Sequence, residues 1–289
     1  VNLDSRPIFL KCEHLNPTGS FKDRGTAVLV TALRAAGVAE AVEDSSGNAG
    51  ASFAAYAARA GITASVFVPD SASGAKRLQI EAYGARLVRI LGPRRNAALA
   101  VERAAEGGAV YASHAYLPHG LAGMATIAFE LFEQLGAVPG SVVMPVGQGT
   151  SLIGVWRGFQ ALQAAGLAGR LPQLIGVQAR ACAPIWAVQH SGSAGLGWVQ
   201  EGETLAEGIR ILQPVRGDLV LHAVEATGGW MEAVEEAEIR AAVGELARKG
   251  FSVEPTSAVV WAALRAAGPR MREPVVAVLT GSGYKHALT

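Results

Sequence analysis

With 289 residues, half of them hydrophobic, the chain has room for one large or two ordinary domains around a sizeable core. Its 25 Lys and Arg against 24 Asp and Glu leave a formal net charge of +1, which excludes a basic nucleic-acid footprint and a membrane-surface patch. Two distant cysteines, Cys12 and Cys182, both in apolar company, make neither a disulfide framework nor a zinc spacing and read as reduced thiols. No secretory leader and no bilayer-spanning apolar run is present, so the expected location is the cytoplasm.

Short β-branched runs alternate with alanine-rich stretches of helical period, the pattern of an α/β fold in which mostly parallel sheets are covered by helices. In chain order, strands are predicted at Ile8 to Lys11, Ala41 to Glu43, Ala64 to Val68, Arg86 to Ile90, Ala109 to Tyr111, Val142 to Val146, Leu174 to Gln178, Leu219 to Val224 and Val275 to Leu279. Helices are predicted at Ser20 to Ala36, Asn48 to Ala60, Ala75 to Tyr83, Arg94 to Glu106, Leu121 to Leu135, Ser151 to Ala165, Trp230 to Arg248 and Thr256 to Ala267. The strand runs are mostly apolar throughout, as strands buried on both faces are. The Gly-rich and polar stretch from Ser191 to Gly208 reads as a long connection, or else as a flap.

Four loops carry candidate chemistry. The first is Asn16-Pro17-Thr18-Gly19-Ser20-Phe21-Lys22-Asp23-Arg24-Gly25, which sets one of only five lysines at the mouth of a helix. An amine there suits a carbonyl-bearing cofactor, held as an imine and used again for proton transfer; the plain alternative is a solvated lysine in a helix capped by Thr18 or Ser20. The second, Asp44-Ser45-Ser46-Gly47-Asn48-Ala49-Gly50, leads a strand into a helix and offers amides and hydroxyls from Ser45, Ser46 and Gly47 to a carboxylate. Asn48 can donate to a phenolate oxygen, or simply cap the helix. The third, Gly147-Gln148-Gly149-Thr150-Ser151, places amides and two hydroxyls at a positive helix end, an arrangement that holds a phosphate. It is neither a Walker loop nor a dinucleotide fingerprint. The fourth follows the last strand as Thr280-Gly281-Ser282-Gly283-Tyr284-Lys285, where Thr280 or Ser282 can meet a bound ring. Glu254-Pro255-Thr256-Ser257-Ala258 adds another polar helix entry. An imine lysine, a carboxylate turn, a phosphate cup and a ring-facing hydroxyl together suit pyridoxal 5'-phosphate.

Over nearly its whole length the chain resembles the fold-type II pyridoxal-phosphate enzymes, and within them the threonine synthase-like branch. The resemblance implies that Lys22 carries the cofactor and shuttles a proton, that Asn48 faces its ring oxygen, and that Ser45, Ser46 and Gly47 lie near the substrate carboxylate. It further implies that Gly147, Gln148, Gly149, Thr150 and Ser151 hold the phosphate, that Thr280 faces the pyridine nitrogen, and that Ala206-Glu207-Gly208 passes beside the ring. A neutral hydroxyl at the pyridine nitrogen favours β-elimination or β-replacement over transamination.

Two departures from the branch stand out. Its members carry a further segment before the lysine strand, and Val1 is not a methionine, so the chain reads as a shortened product. The stretch Ser113-His114-Ala115-Tyr116-Leu117-Pro118-His119 through Thr126 has no arginine, and Met124 sits where a lysine is expected to grip the phosphate of phosphohomoserine. Ser113, His114 and His119 remain as candidate substrate ligands, the imidazoles binding an anion only when protonated.

The resulting expectation is a two-domain enzyme, with residues 1–25 and 119–289 forming a large cofactor domain and residues 26–118 a small one. The expected activity is a pyridoxal-phosphate-dependent lyase of amino-acid metabolism, acting on a small amino acid by elimination or replacement. A serine or threonine dehydratase is the alternative, and a catalytically silent cofactor-binding or partner protein is the alternative of another class. A homodimer is implied by the resemblance, with no metal, nucleic acid or membrane partner.

Overall fold

The continuously apolar runs form the centres of two separate parallel sheets in the computed structural model, which describes residues 1–70, 74–267 and 270–285. The chain divides by contact into two units, one comprising Val1–His14 and Met124–Gly283, the other Leu15–Gly123 and the segment from Tyr284.

In the first unit, strands β1 (Asn2–Leu3), β2 (Arg6–Lys11), β7 (Ser141–Pro145), β8 (Gln173–Ala179), β9 (Trp230–Val234) and β10 (Val275–Val278) lie in the order β1-β2-β10-β7-β8-β9. All neighbours are parallel except β1 and β2, with Val275 opposite Ile8 and Val142 opposite Leu174. Every residue of β7, β8 and β10 is buried, because helices cover a parallel sheet on both faces. The helices are α5 (His119–Leu135, from Met124), α6 (Thr150–Ala164), α7 (Pro184–Ser191), α8 (Gly217–Ala226), α9 (Glu236–Arg248) and α10 (Pro255–Ala267). Trp261 of α10 is wholly buried in one core with Val143, Ile175, Val177 and Val275.

In the second unit, β3 (Glu40–Glu43), β4 (Thr63–Pro69), β5 (Arg86–Ile90) and β6 (Val110–Tyr111) form an all-parallel sheet in the order β5-β4-β3-β6. It carries α1 (Lys22–Ala35), α2 (Asn48–Ala60), α3 (Ala75–Ala82) and α4 (Arg94–Glu106), with a core that includes Phe53, Val66, Val68 and Ile80.

Two sequence expectations are corrected. Leu219 to Val224 is not a strand but the body of α8, which buries Val220, Ala223 and Val224 at helical spacing; a short apolar run cannot be told from a buried helix by periodicity alone. The strand lies just beyond it at Trp230–Val234, where the sequence predicts a helix. That helix begins instead at Glu236, behind a capping box formed by Glu235 and Glu238. The β1–β2 hairpin is absent from the sequence reading, because its two turn residues, Asp4 and Ser5, both take positive φ without a glycine to signal it. The stretch after Ser191 contains 3-10 turns at Gly192–Trp198 and Glu207–Ile209.

Residues 15–25, grouped with the larger domain in the sequence reading, cluster with the second unit. The physical cause is the buried Asp23 carboxylate, which accepts from Thr18 N at 2.7 Å, Thr18 Oγ1 at 2.5 Å and Ser52 Oγ of α2 at 2.7 Å. Gln79 Nε2 of α3 donates to Thr18 O at 3.1 Å as well.

Candidate active site

In the second unit, Gly19 N donates to Asn16 O at 2.6 Å to turn the chain, with Gly19 at φ +79°, and the Asp23 knot then delivers Lys22 as the first residue of α1. The caps of the alternative reading do not form. Thr18 is committed to Asp23, the buried Ser20 hydroxyl has no hydrogen-bond partner, and Phe21 occupies the N-cap position. Lys22 Nζ lies 4.9 Å from the centroid of the Phe21 ring. Its pKa is lowered to about 8 by burial, against the opposing pull of the Glu43 carboxylate and with the repulsion of Arg94 adding to the fall. A solvated lysine does not behave in this way.

The asparagine loop runs from β3 to α2. Ser45 is buried and its Oγ accepts from Gly47 N at 3.2 Å. A Cβ at Gly50 would lie 1.8 Å from Ser45 O, so only glycine lets α2 close on this turn. Ser46, Gly47 and Asn48 are half-buried. Asn48 Oδ1 accepts from Lys285 Nζ at 2.9 Å.

Beside this loop Glu43 and Tyr111, which no motif singled out, form a cluster with Asp44 and His114. Glu43 is buried and bonds both His114 Nδ1 and the Asp44 amide, while Tyr111 OH donates to Asp44 Oδ1 at 2.8 Å. Burial raises the Glu43 pKa, and burial together with the Glu43 charge raises Asp44 to about 6. Burial and the two carboxylates raise Tyr111 also. Two consecutive acids at the end of β3, both buried, were the available signal, since a buried carboxylate needs partners.

The three candidate substrate ligands of residues 113–119 separate. Ser113 is buried and its hydroxyl accepts from Ala115 N at 3.3 Å and Tyr116 N at 3.1 Å, the work of a turn cap. His114 faces the Glu43 carboxylate. His119 is exposed at the start of α5.

In the first unit, β7 leads through Gly147 and Gln148 to Gly149, the N-cap of α6 at φ +85°. A Cβ on Gly149 would meet Val220 Cγ2 at 2.3 Å, and Gln148 Oε1 ties the turn down by accepting from Val215 N at 2.8 Å. Thr150 and Ser151 are buried, and Thr150 Oγ1 has no hydrogen-bond partner. Thr280, buried just past β10, lies 3.1 Å from Ser257 Oγ, oxygen to oxygen. Ser257 Oγ also accepts from Gly281 N at 2.7 Å. Sequence reasoning treats Ser257 as part of a helix entry, whereas it anchors the Thr280 turn. Ser257→Ala would leave the buried Gly281 amide unpaired and is expected to lower unfolding stability by about 1–3 kcal/mol in a denaturant titration.

The pyridoxal-phosphate dependent enzyme family is matched over residues 2–281. The chain belongs to that family. Threonine synthase of Methanocaldococcus jannaschii is 36% identical over 290 residues, covering 98% of this chain and 72% of that protein. Threonine synthase of Mycobacterium tuberculosis is 36% identical over 285 residues, covering 96% and 77%. Among solved structures, a T.th. threonine deaminase superposes with a TM-score of 0.82 at 28% identity, over 98% of this chain and 89% of that one. Maize serine racemase gives a TM-score of 0.82 at 23% identity over 98% and 84%, a likeness of fold alone. The protein is thus a pyridoxal-phosphate-dependent lyase of the threonine synthase-like branch, and pyridoxal phosphate is its cofactor. The residues present suit that group in kind: a tight glycine turn at a helix N-terminus with an orphaned buried hydroxyl could receive a phosphate, and an amine with a lowered pKa could take up a carbonyl. Among the described residues no helix is long and apolar enough to cross a membrane.

Proposed function

We propose that this lyase acts on a small unphosphorylated amino acid by β-elimination or β-replacement, and that it handles phosphohomoserine poorly. The observation that carries this reading is the pairing of His114 with the buried Glu43 carboxylate, beside Asp44. An imidazole whose charge is answered by a carboxylate is a poor holder of a dianion. Met124, buried at the position where a lysine is expected, supplies no cation.

In this reading Lys22 binds the cofactor carbonyl and later takes the α-proton at its Nζ, a role for which an amine with a pKa of about 8 is suited. Gly147 to Ser151 hold the phosphate through amides and hydroxyls, with the Gln148 side chain shaping the turn. Thr280 presents a neutral hydroxyl to the ring nitrogen, and Asn48 an amide to the ring oxygen. Ser45, Ser46 and Gly47 receive the substrate carboxylate. Pyridoxal phosphate, when bound, supplies the electron sink for the pair left at Cα. We assign the two cofactor-binding units to a large domain and a small domain, in a cytoplasmic homodimer; two cysteines whose thiols burial holds protonated suit a reducing compartment.

A threonine or serine dehydratase is the second reading, favoured by the similarity to the T.th. threonine deaminase. The test is a competition among phosphohomoserine, homoserine, serine and threonine, followed by the change in cofactor absorption and by product analysis. Each missing charge-assisted contact weakens binding by about one to two orders of magnitude, so phosphohomoserine should bind no tighter than homoserine. Tight phosphohomoserine binding with threonine as product sinks the proposal; release of a keto acid from threonine or serine selects the dehydratase.

A further inference from the structure

Lys285 closes the loop that follows the last strand, and nothing above gives it a role. It ends the 3-10 turn Gly283–Lys285, is half-buried, and donates from Nζ to Asn48 Oδ1 at 2.9 Å. An ammonium has three donors and no acceptor, so only the carbonyl end of the Asn48 amide can face it. The amide is planar, and fixing its oxygen on Lys285 turns its NH2 the other way. The opposite orientation would set the NH2 donors against the ammonium.

We propose that Lys285 is a positioning residue, which locks the Asn48 amide so that its NH2 is the group presented to the cofactor's ring oxygen. A ring oxygen that bears negative charge needs a donor, and the carbonyl end of an unlocked amide would repel it. This inference rests on the reading of Asn48 as a ligand of that oxygen, so the experiment separates the two. Cofactor affinity and the visible absorption of the bound cofactor are measured for the full chain, for Lys285→Met, Lys285→Gln and Lys285→Arg, for Asn48→Ala, and for Asn48→Ala combined with Lys285→Met.

Lys285→Met should weaken cofactor binding about tenfold, the loss of one charge-assisted hydrogen bond, and shift the absorption band. Lys285→Arg, again a pure donor, should restore both. Lys285→Gln, which can accept as well as donate and so tolerates either amide orientation, should fall between. In the Asn48→Ala background Lys285→Met should add less than about twofold, because the lysine acts through that amide. Unchanged binding and absorption in Asn48→Ala would overturn the cofactor role of Asn48 and this inference with it. Altered absorption in Asn48→Ala with none in Lys285→Met, or a Lys285→Met effect undiminished in the double variant, would overturn the inference alone.

Discussion

Lys22→Ala is expected to abolish covalent capture of pyridoxal phosphate, whereas Lys249→Ala leaves it intact. Lys249 is accounted for elsewhere, with its Nζ donating to Asn2 O at 3.3 Å and lying 5.6 Å from the Trp261 ring centroid. Lys22 differs because its surroundings disfavour the ammonium form. Capture of a carbonyl requires the neutral amine, and below a pKa of about 8 the neutral fraction rises roughly tenfold per pH unit. The rate at which the apoprotein captures the cofactor should therefore climb as pH rises to about 8, and level off above it. An ordinary lysine would keep climbing to about pH 10. Borohydride reduction of the loaded protein followed by peptide mapping checks the assignment directly: a label on any lysine other than Lys22 removes it.

The second large effect is expected at the turn before α6. Gly149→Asp places a carboxylate at the helix N-terminus where the phosphate is proposed to bind. At about 4 Å, two like charges in a partly screened site repel by about 4 kcal/mol, a loss of about a thousandfold in affinity. Part of the effect is steric, since any Cβ there meets Val220 and the backbone sits at φ +85°. Thr150→Val isolates the hydrogen bond: the volume is kept, the orphaned hydroxyl is lost, and affinity should drop about tenfold. Isothermal titration of both variants with pyridoxal phosphate gives the measurement. Unchanged affinity in both would move the phosphate away from this turn.

The two effects differ in how far the sequence foretold them. Lys22 stands out by its motif and by the scarcity of lysine, yet nothing in the string reveals that Glu43 and Arg94 act on it with opposite sign. The glycine turn is legible as a strand, small residues and a helix in succession. That Gln148 is spent on the turn itself depends on a partner 67 positions along the chain, and that Thr150 Oγ1 is left without one depends on how the turn packs.

Periodicity and composition alone determined the α/β class, most strands and helices, and the loops in which chemistry resides. Those features rest on local rules: apolar runs for buried parallel strands, glycine at helix ends, small polar residues where a strand hands over to a helix. Where an apolar run was short the local rule had two solutions, and packing chose helix for residues 217–226 and strand for residues 230–234. Tertiary structure also decided the partners of charge. His114 meets Glu43 across 71 positions and Lys285 meets Asn48 across 237. Such pairings arise because distant strand ends and turns converge within one unit, and the electrostatic character of each group is then set by neighbours that sequence distance conceals.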